Sequence, residues 1–275
     1  MKRKLTYLLA GLLLLSGFAA QATPEKDYKA LLKHYKELFP KVKPADYIYG
    51  SLALSADAKS QYDTIMEFPP FTMDMEEGAK IWETPFKNGK NFASCFPNKG
   101  KNAAGKYPYF DDKAGRVVTF ENALNACLKA NDEPELKYGS REMGLLSAHA
   151  KSLSNGSKVD VKVKGAGALA AYEKGKQYYY ERRGQLNFAC STCHIDNAGK
   201  RTRSEELSML IGQASHFPVF RDGTTLVTLQ TRFRQCANNT RMAKLEFDSE
   251  EYNNLEYFMT YMSNGMKMIT PVFRK

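Results

Sequence analysis

The chain has 275 residues, and its 40 Lys and Arg against 30 Asp and Glu give a formal net charge of +10. This length is enough for two domains of ordinary size. The positive surplus favours anionic partners or substrates, but it is too diffuse to indicate nucleic acid, and no nucleic-acid-binding motif is visible. We therefore exclude nucleic acid as a partner.

The first 22 residues have the pattern of a secretory signal peptide. Three cations at positions 2–4 precede an apolar run at positions 5–20, and a small-x-small cleavage site ends at Ala22. The run is short for a membrane span, and no later apolar stretch approaches the necessary length. We predict cleavage after Ala22, a periplasmic location, and a mature chain without a membrane span whose net charge falls by three, to +7.

A helix is predicted directly after the cleavage site. Pro24 suits the first turn of a helix, and apolar side chains recur at helical spacing through residues 24–39. Residues 41–71 contain three prolines and are predicted to be a long connection that wraps the protein. Both segments are assigned to an N-terminal extension.

The chain contains an internal repeat. In each copy a cysteine is followed by a serine thirteen residues later and by the asparagine of a Ser-Asn-Gly run 28 residues later. These residues are Cys127, Ser140 and Asn155 in the first copy and Cys236, Ser249 and Asn264 in the second. Further upstream, an Asn-Phe-Ala run precedes Cys95 in the first copy and Cys190 in the second. The two halves of the chain are therefore expected to share one fold.

The second copy carries the motif CSTCH at residues 190–194. Two thiols separated by two residues bond the vinyl groups of a haem, and the histidine that follows presents an imidazole to the iron. Cys190, Cys193 and His194 are therefore the predicted attachment residues of one covalently bound haem c, with His194 as an iron ligand. The alternatives are a disulfide, a thioredoxin-like motif or half of a zinc site, but neither a βαβ context nor further zinc ligands are visible.

The repeat and the motif together predict the fold class. Helix, haem-binding loop, middle helix and closing helix is the layout of a small cytochrome c domain, in which the first and last helices cross close to a glycine, here Gly78 or Gly175. We predict a mainly α protein with two tandem cytochrome c-like domains. The first spans residues 23–157 with its extension and the second residues 166–275, and glycines at 156, 165 and 167 mark the linker.

The second domain can be divided further. Its opening helix is predicted at about residues 166–183, and residues 205–221 are expected to line the edge of the haem. A middle helix is predicted at about residues 225–235, ending at Cys236. The closing helix is expected to be capped by Ser249, with two glutamates in its first turn.

The first domain lacks the haem motif. When Cys95 is aligned with Cys190, Asn98 and Lys99 take the places of the second thiol and the histidine, so no haem is expected there. Cys95 and Cys127 remain and could close a disulfide worth about 2–4 kcal/mol. The alternative is a pair of unpaired buried thiols.

The iron of the second domain needs a sixth ligand, and the sequence offers four candidates. They are Met209, Met242, His216 and Cys236. Methionine is the usual choice in electron-carrying cytochromes. We favour Cys236, because the repeat places its counterpart Cys127 where it could meet Cys95, the remnant of a haem site.

Cations surround Cys236. Arg232 lies four residues earlier, one helical turn back on the same face, and Arg234, Arg241 and Lys244 follow nearby. Cations favour the thiolate, which is both the nucleophile and the iron ligand, and an arginine can grip an oxyanion with two hydrogen bonds. For Arg234, Arg241 and Lys244 the alternative is an ordinary solvated basic helix face.

The second half of the chain contains six characteristic runs: RGQLN at 183–187, CSTCH at 190–194, FPVFR at 217–221, RFRQCANNTR at 232–241, SEEY at 249–252 and SNG at 263–265. With these runs the chain resembles the SoxA family, the haem subunit of the SoxAX complex, an L-cysteine S-thiosulfotransferase of bacterial sulfur oxidation. The resemblance covers most of the mature chain, is specific in the second domain and is weaker before residue 75.

The resemblance implies a periplasmic enzyme with one or two haems, here the one-haem type because of Asn98 and Lys99. It further implies a small cytochrome partner, SoxX, and oxidative joining of thiosulfate to a cysteine of the carrier protein SoxYZ, with release of two electrons. By similarity, Cys236 is the distal haem ligand and the active-site thiol, found in the family as a persulfide, and Arg232 matches the substrate-binding arginine.

The chemistry of these residues agrees with that role, because an arginine one turn from a thiolate can hold the sulfonate of thiosulfate. Two other functions remain open. One is a thiosulfate dehydrogenase, which couples two thiosulfates to tetrathionate without a carrier. The other is a plain periplasmic electron carrier, in which Met209 or Met242 binds iron and Cys236 is only packed.

Overall fold

The computed structural model describes residues 23–274, so the predicted signal peptide at residues 1–22 lies outside it. The described part is mainly helical, as predicted. Its α-helices are α1 (Pro24–Leu38), α2 (Ala56–Glu67), α3 (Thr72–Glu83), α4 (Phe120–Lys129), α5 (Arg141–Ser152), α6 (Ala166–Tyr180), α7 (Cys190–His194), α8 (Leu229–Asn239) and α9 (Glu250–Tyr261). Its strands are β1 (Tyr109–Asp111), β2 (Arg116–Val118), β3 (Arg201–Thr202), β4 (Glu205–Glu206), β5 (Val219–Arg221), β6 (Thr225–Val227) and β7 (Val272–Arg274). Within residues 23–274, no helix combines the length and apolarity needed to cross a bilayer.

The strands form small sheets beside the helices. β1 pairs with β2 and β3 with β4, both antiparallel. β5 lies between antiparallel β6 and parallel β7, so the last described residues pair with the hairpin of the second repeat. Each repeat therefore carries a hairpin, β1–β2 or β5–β6, immediately before its middle helix.

The N-terminal extension is more ordered than predicted. Helix α1 begins at Pro24, as predicted, and ends at Leu38. Residues 41–71, predicted to be a long wrapping connection, contain a 3₁₀ segment at Pro44–Leu54 and then α2. Ser55 caps α2 by accepting a hydrogen bond from the Ala58 amide, and Pro44 starts its segment at a position where a proline costs no backbone hydrogen bond.

One side chain fastens this extension to the haem motif. Tyr35, on α1, is fully buried. Its hydroxyl donates to the carbonyl oxygen of His194 at 2.6 Å and accepts from the amide of Leu210 at 2.9 Å. The extension thereby holds the end of α7 and the segment after it in fixed positions.

The two repeats are built alike, and the predicted helix crossings are present. α3 packs on α5 in the first repeat, and α6 packs on α9 in the second. A Cβ atom added at Gly78 would lie 2.5 Å from the carbonyl oxygen of Leu145, and one added at Gly175 would lie 2.0 Å from that of Asn254. Both glycines are needed because the backbones of the crossing helices nearly touch.

Capping residues repeat with the same spacing. Ser140 caps α5 and Ser249 caps α9, as expected for the closing helices. Thr119 caps α4 and Thr228 caps α8, each eight residues before a cysteine. The predicted middle helix at 225–235 was misplaced, because residues 225–227 pair in the hairpin and the helix starts only after its cap, Thr228. Helix α8 therefore continues past Cys236 and ends at Asn239.

The opening helix of the second repeat ends at Tyr180, three residues before the predicted end.

In the first repeat, Cys95 and Cys127 form a disulfide with a Cα–Cα distance of 5.8 Å. The Cys127 side is buried and the Cys95 side is exposed. The expected disulfide is therefore present, and it joins α4 to the loop that corresponds to the haem loop of the second repeat.

A polar cluster lies where the two repeats meet. Glu121 near the start of α4 and Glu256 on α9 lie close enough for Glu256 to raise the pKa of Glu121. Burial is the main cause of the shift, which takes the pKa of Glu121 from 4.5 to about 7. Burial also raises the pKa of Glu256, and the charge of Lys151 opposes both shifts. Gln230 takes the place of Glu121 in the second repeat and donates to Glu256 at 3.3 Å. One repeat thus uses a neutral amide where the other has a carboxyl group.

We expect Glu121→Gln to stabilise the protein above pH 7. Since the folded-state pKa of Glu121 exceeds its ordinary value, the native state binds more protons between about pH 4.5 and 7, and stability falls as pH rises through this window. Removing the carboxyl should raise the free energy of unfolding at pH 8 by about 1–2 kcal/mol, with little change at pH 4. Urea unfolding at both pH values measures this, and Glu142→Gln, which removes an exposed carboxyl, is the control. Equal pH dependence in wild type and Glu121→Gln would contradict the prediction.

Candidate haem and thiol site

The CSTCH motif forms the short helix α7. The Thr192 hydroxyl accepts a hydrogen bond from the amide of Ala189 at 3.1 Å, which fixes the start of the helix. Cys190 and Cys193 are one turn apart, and both are half-buried free thiols. The helix therefore presents two thiols on the same side, as attachment of one porphyrin at two points requires.

The imidazole of His194 is held in the form that binds a metal. Its Nδ1 lies 2.8 Å from the carbonyl oxygen of Ser208, and since a carbonyl only accepts, this contact places the proton on Nδ1. Burial, with a smaller contribution from the charge of Arg232, lowers the pKa of His194 to about 4. The ring is therefore neutral at physiological pH, and the lone pair of Nε2 is available to iron.

Residues 205–221 support this imidazole. The carbonyl oxygen of Ser208 accepts from Nδ1, and the side-chain amide of Gln213 donates to the Ser208 hydroxyl. The segment was predicted to line the edge of the haem, which remains a prediction. Its observed contacts orient the histidine.

Cys236 lies beside the two attachment thiols. It is the third free cysteine among residues 23–274 and is half-buried in the last turn of α8. Burial, followed by the influence of Cys236 and to a smaller extent that of Cys193, raises the pKa of Cys190 to about 12. Cys236 also raises the pKa of Cys193. The fold therefore gathers three cysteines that the sequence distributes over two helices.

The other candidates for a sixth ligand have different surroundings. Met209 is fully buried and follows Ser208, the residue that holds His194. His216 is buried against the N-terminal extension, with Nδ1 3.1 Å from the carbonyl oxygen of Ile48. Met242 lies against Gly184. Cys236 as the sixth ligand stays a prediction, and its position next to both attachment cysteines supports it.

Arg232 is the cation of α8 that reaches the site. It is near enough to affect the pKa of His194, and it forms an ion pair with Glu205 at 3.5 Å. Glu205 also contacts Arg221, so one carboxylate joins two guanidinium groups. The β3–β4 hairpin, which carries Glu205, thus reaches the arginine that was predicted to bind substrate.

The remaining cations of this region are arranged differently. Arg234 donates to the carbonyl oxygen of Leu245 and lies over the ring of Phe247 at 4.7 Å, so it supports the loop after α8. Arg241 and Lys244 are exposed. The solvated alternative that we considered for these cations therefore fits Arg241 and Lys244.

Two neighbours of the site were given no role in the sequence analysis. Arg183 lies over the ring of Tyr178 at 3.7 Å, and its charge lowers the pKa of Cys190. Its position just before the haem motif was a usable signal. No sequence signal pointed to Glu205, because its contact with Arg232 depends on the path of the β3–β4 hairpin, which we did not predict.

These groups fit a haem c in the second repeat only. Cys190 and Cys193 supply two thiols, His194 supplies a neutral imidazole, and Cys236 supplies a further sulfur. In the first repeat, Cys95 is already oxidised, and Asn98 and Lys99 adopt left-handed backbone conformations with φ of 50° and 54°. The second repeat thus has the side chains that a c-type cytochrome needs, with an additional thiol beside them.

Comparison with known proteins agrees with this class. The family model described as "SoxA/TsdA, cytochrome c domain" matches residues 77–159 and 174–268, one range in each repeat. The SoxA subunit of L-cysteine S-thiosulfotransferase from Chlorobaculum tepidum is 44% identical over 256 residues, covering 93% of this chain and 89% of that protein. The corresponding subunit from Allochromatium vinosum is 39% identical over 273 residues, covering 98% and 97%.

A solved structure agrees as well. The crystal structure of SoxXA from P. pantotrophus matches with a TM-score of 0.68 and 30% identity, covering 75% of this chain and 79% of that one. The chain belongs to the SoxA family. Its fold is that of two tandem cytochrome c-like domains, as predicted from the repeat.

Proposed function

We propose that this chain is the cytochrome subunit of a periplasmic L-cysteine S-thiosulfotransferase that carries one covalently bound haem c. It joins thiosulfate oxidatively to a cysteine of a SoxYZ-type carrier protein and passes two electrons to a c-type cytochrome. The observation that carries the proposal is the position of Cys236 and Arg232 on successive turns of α8, beside the haem-attachment cysteines. The signal-peptide pattern at residues 1–22 supports export.

Arg232 and Cys236 divide the chemistry between them. The guanidinium holds the sulfonate of thiosulfate, which brings the sulfane sulfur to the thiolate of Cys236. Formation of the sulfur–sulfur bond gives an S-thiosulfonate on Cys236 and releases two electrons. The carrier's thiolate then attacks the sulfane sulfur, takes over the thiosulfonate and returns Cys236 as a thiolate.

Electron transfer requires a second centre. Cys190, Cys193 and His194 would hold a haem c, with Cys236 as the favoured further ligand, and that group would supply an acceptor of one electron at a time. Because bond formation releases two electrons, a partner cytochrome of the SoxX type is needed for the other. The solved relative is a SoxXA complex, which supports this partner.

An assay with and without the carrier tests the proposal. The mature protein is incubated with its partner cytochrome, thiosulfate and the carrier, and the mass of the carrier is measured. We expect the carrier cysteine to gain one thiosulfonate while cytochrome c is reduced. Equal cytochrome reduction without the carrier, accompanied by tetrathionate, would instead identify a thiosulfate dehydrogenase. Absence of any thiosulfate-dependent reduction would leave the electron-carrier function.

Glu205 is expected to compete with the substrate. Its carboxylate pairs with Arg232 and with Arg221, so a bound sulfonate has to replace it at a guanidinium. An exposed ion pair of this kind is worth about 0.2–1 kcal/mol, so Glu205→Gln should lower the KM for thiosulfate by up to about fivefold with kcat little changed. Glu206→Gln, which removes the same charge from the adjacent residue, is the matched control. A raised KM in Glu205→Gln alone would show that the carboxylate assists binding.

A further inference from the structure

The disulfide of the first repeat joins two positions that the second repeat also fills with cysteines. Cys95 corresponds to Cys190 to within one residue, since Cys190 directly follows its Asn-Phe-Ala run and Cys95 is separated from its run by Ser94. Cys127 corresponds to Cys236, since each lies eight residues after a capping threonine and thirteen before a capping serine. The pair that is bonded in the first repeat is therefore present, as two free thiols, in the second.

The local surroundings of the two later cysteines are also alike. Cys127 lies near the end of α4, and its carbonyl oxygen accepts from the side chain of Asn131, four residues on, at 2.8 Å. Cys236 lies near the end of α8, and its carbonyl oxygen accepts from the side chain of Thr240, also four residues on, at 2.8 Å. Both helices thus present a cysteine from a similarly fixed last turn toward the loop or short helix after the opening helix.

The thiol that acts on Cys190 most strongly is Cys236. Cys193 is only three residues from Cys190, yet its electrostatic effect on that thiol is smaller than that of Cys236. The fold therefore brings Cys236 close enough to Cys190 to influence its thiol.

We infer that, before haem is attached, Cys190 and Cys236 form a disulfide equivalent to that between Cys95 and Cys127. An exported dithiol has to reduce this disulfide by thiol exchange, and itself leaves as a disulfide, before haem can bind covalently. The two thiols exchange with a protein disulfide of the oxidising compartment. One sulfur–sulfur bond forms in the chain, and the donor leaves as two thiols. The oxidant is of the same chemical class as the one that closes Cys95–Cys127.

The inference explains why one repeat has a disulfide and the other a free thiol. A thioether forms when the S–H of Cys190 adds across a vinyl group, and a disulfide sulfur has no S–H to add. The disulfide and the haem therefore exclude each other. Once Cys190 is bonded to haem, Cys236 has lost its partner and stays reduced, as the proposed transfer chemistry requires.

Disulfide mapping of the haem-free chain tests the inference. The full-length protein is exported in a host that lacks the haem-attachment machinery, free thiols are alkylated, and peptides are identified without reduction. We expect Cys95–Cys127 and Cys190–Cys236 disulfides with Cys193 alkylated. A Cys190–Cys193 disulfide with Cys236 alkylated would overturn the inference, as would alkylation of all three.

A second measurement does not depend on the haem-free chain folding. In a host that attaches haem but is deficient in exported thiol reductants, covalent haem on the wild-type protein should fall and recover when a small thiol is added. The variant Cys236→Ser should lose this dependence on added thiol. If Cys236→Ser stays as dependent on thiol as the wild type, the blocking disulfide lies within the CSTCH motif and the inference fails. Haem staining of denatured protein is the readout, so activity is not involved.

Discussion

Replacing Cys236 by alanine is expected to abolish thiosulfonate transfer to the carrier, lowering turnover by about a thousandfold or more, as removal of an enzyme nucleophile commonly does. The same change should alter the visible spectrum of the haem protein, because Cys236 lies beside both attachment thiols and is the favoured ligand opposite His194. Covalent haem should persist, since Cys190 and Cys193 are unchanged. Steady-state assays and absorption spectra of the purified protein measure both effects.

Two controls sharpen this experiment. Met242→Leu removes the half-buried methionine beside Gly184 and should leave spectrum and turnover unchanged if Cys236 is the ligand. Arg232→Gln should lower turnover while leaving the spectrum close to that of the wild type, because the guanidinium acts on the substrate. Retention of the wild-type spectrum and of electron transfer in Cys236→Ala, with their loss in Met242→Leu, would establish the plain electron carrier.

The second large effect is expected at a helix crossing. Gly175→Ala places a Cβ atom 2.0 Å from the carbonyl oxygen of Asn254 and 3.0 Å from the Cβ of Phe258, and a backbone atom cannot move aside alone. Helices α6 and α9 would have to separate, so we expect a loss of about 3 kcal/mol or more in the free energy of unfolding. Urea unfolding of the purified protein provides the measurement.

Gly144→Ala is the matched control for this change. Gly144 also lies within a helix, α5, but its added Cβ would meet the end of the Leu226 side chain at 2.8 Å, which can rotate away. Alanine also favours a helix by about 1 kcal/mol over glycine, so the variant should be close to wild type in stability. Equal destabilisation by both substitutions would show that the close backbone approach at Gly175 is not the cause.

The sequence was sufficient for features that depend on local spacing. The interval from cysteine to capping serine predicted the start of α9, and the same interval in the first half revealed the repeat. The CSTCH motif predicts the attachment residues because the chemistry requires that order of side chains. Features of this kind can be read from neighbouring residues along one helix or loop.

Other features depend on segments that meet only in the folded chain. The start of α8 was misplaced because residues 225–227 are apolar enough for either a strand or a helix, and pairing with β5 decides between them. The contact of Glu205 with Arg232 depends on the direction of a short hairpin. Helix α2 was missed because three prolines were taken as signs of an irregular connection, although they lie outside its helical turns.

The hydroxyl of Tyr35 has a consequence for how the protein can be divided. This hydroxyl, on the first helix of the described chain, donates to the carbonyl oxygen of His194 and accepts from the amide of Leu210. Leu210 lies two residues after Ser208, whose carbonyl oxygen holds the imidazole. The second repeat is therefore held in part by a segment that precedes both family-matched ranges, the first of which begins at residue 77. We therefore expect removal of α1 to loosen the positions of His194 and Leu210, even though α1 lies outside both family-matched ranges.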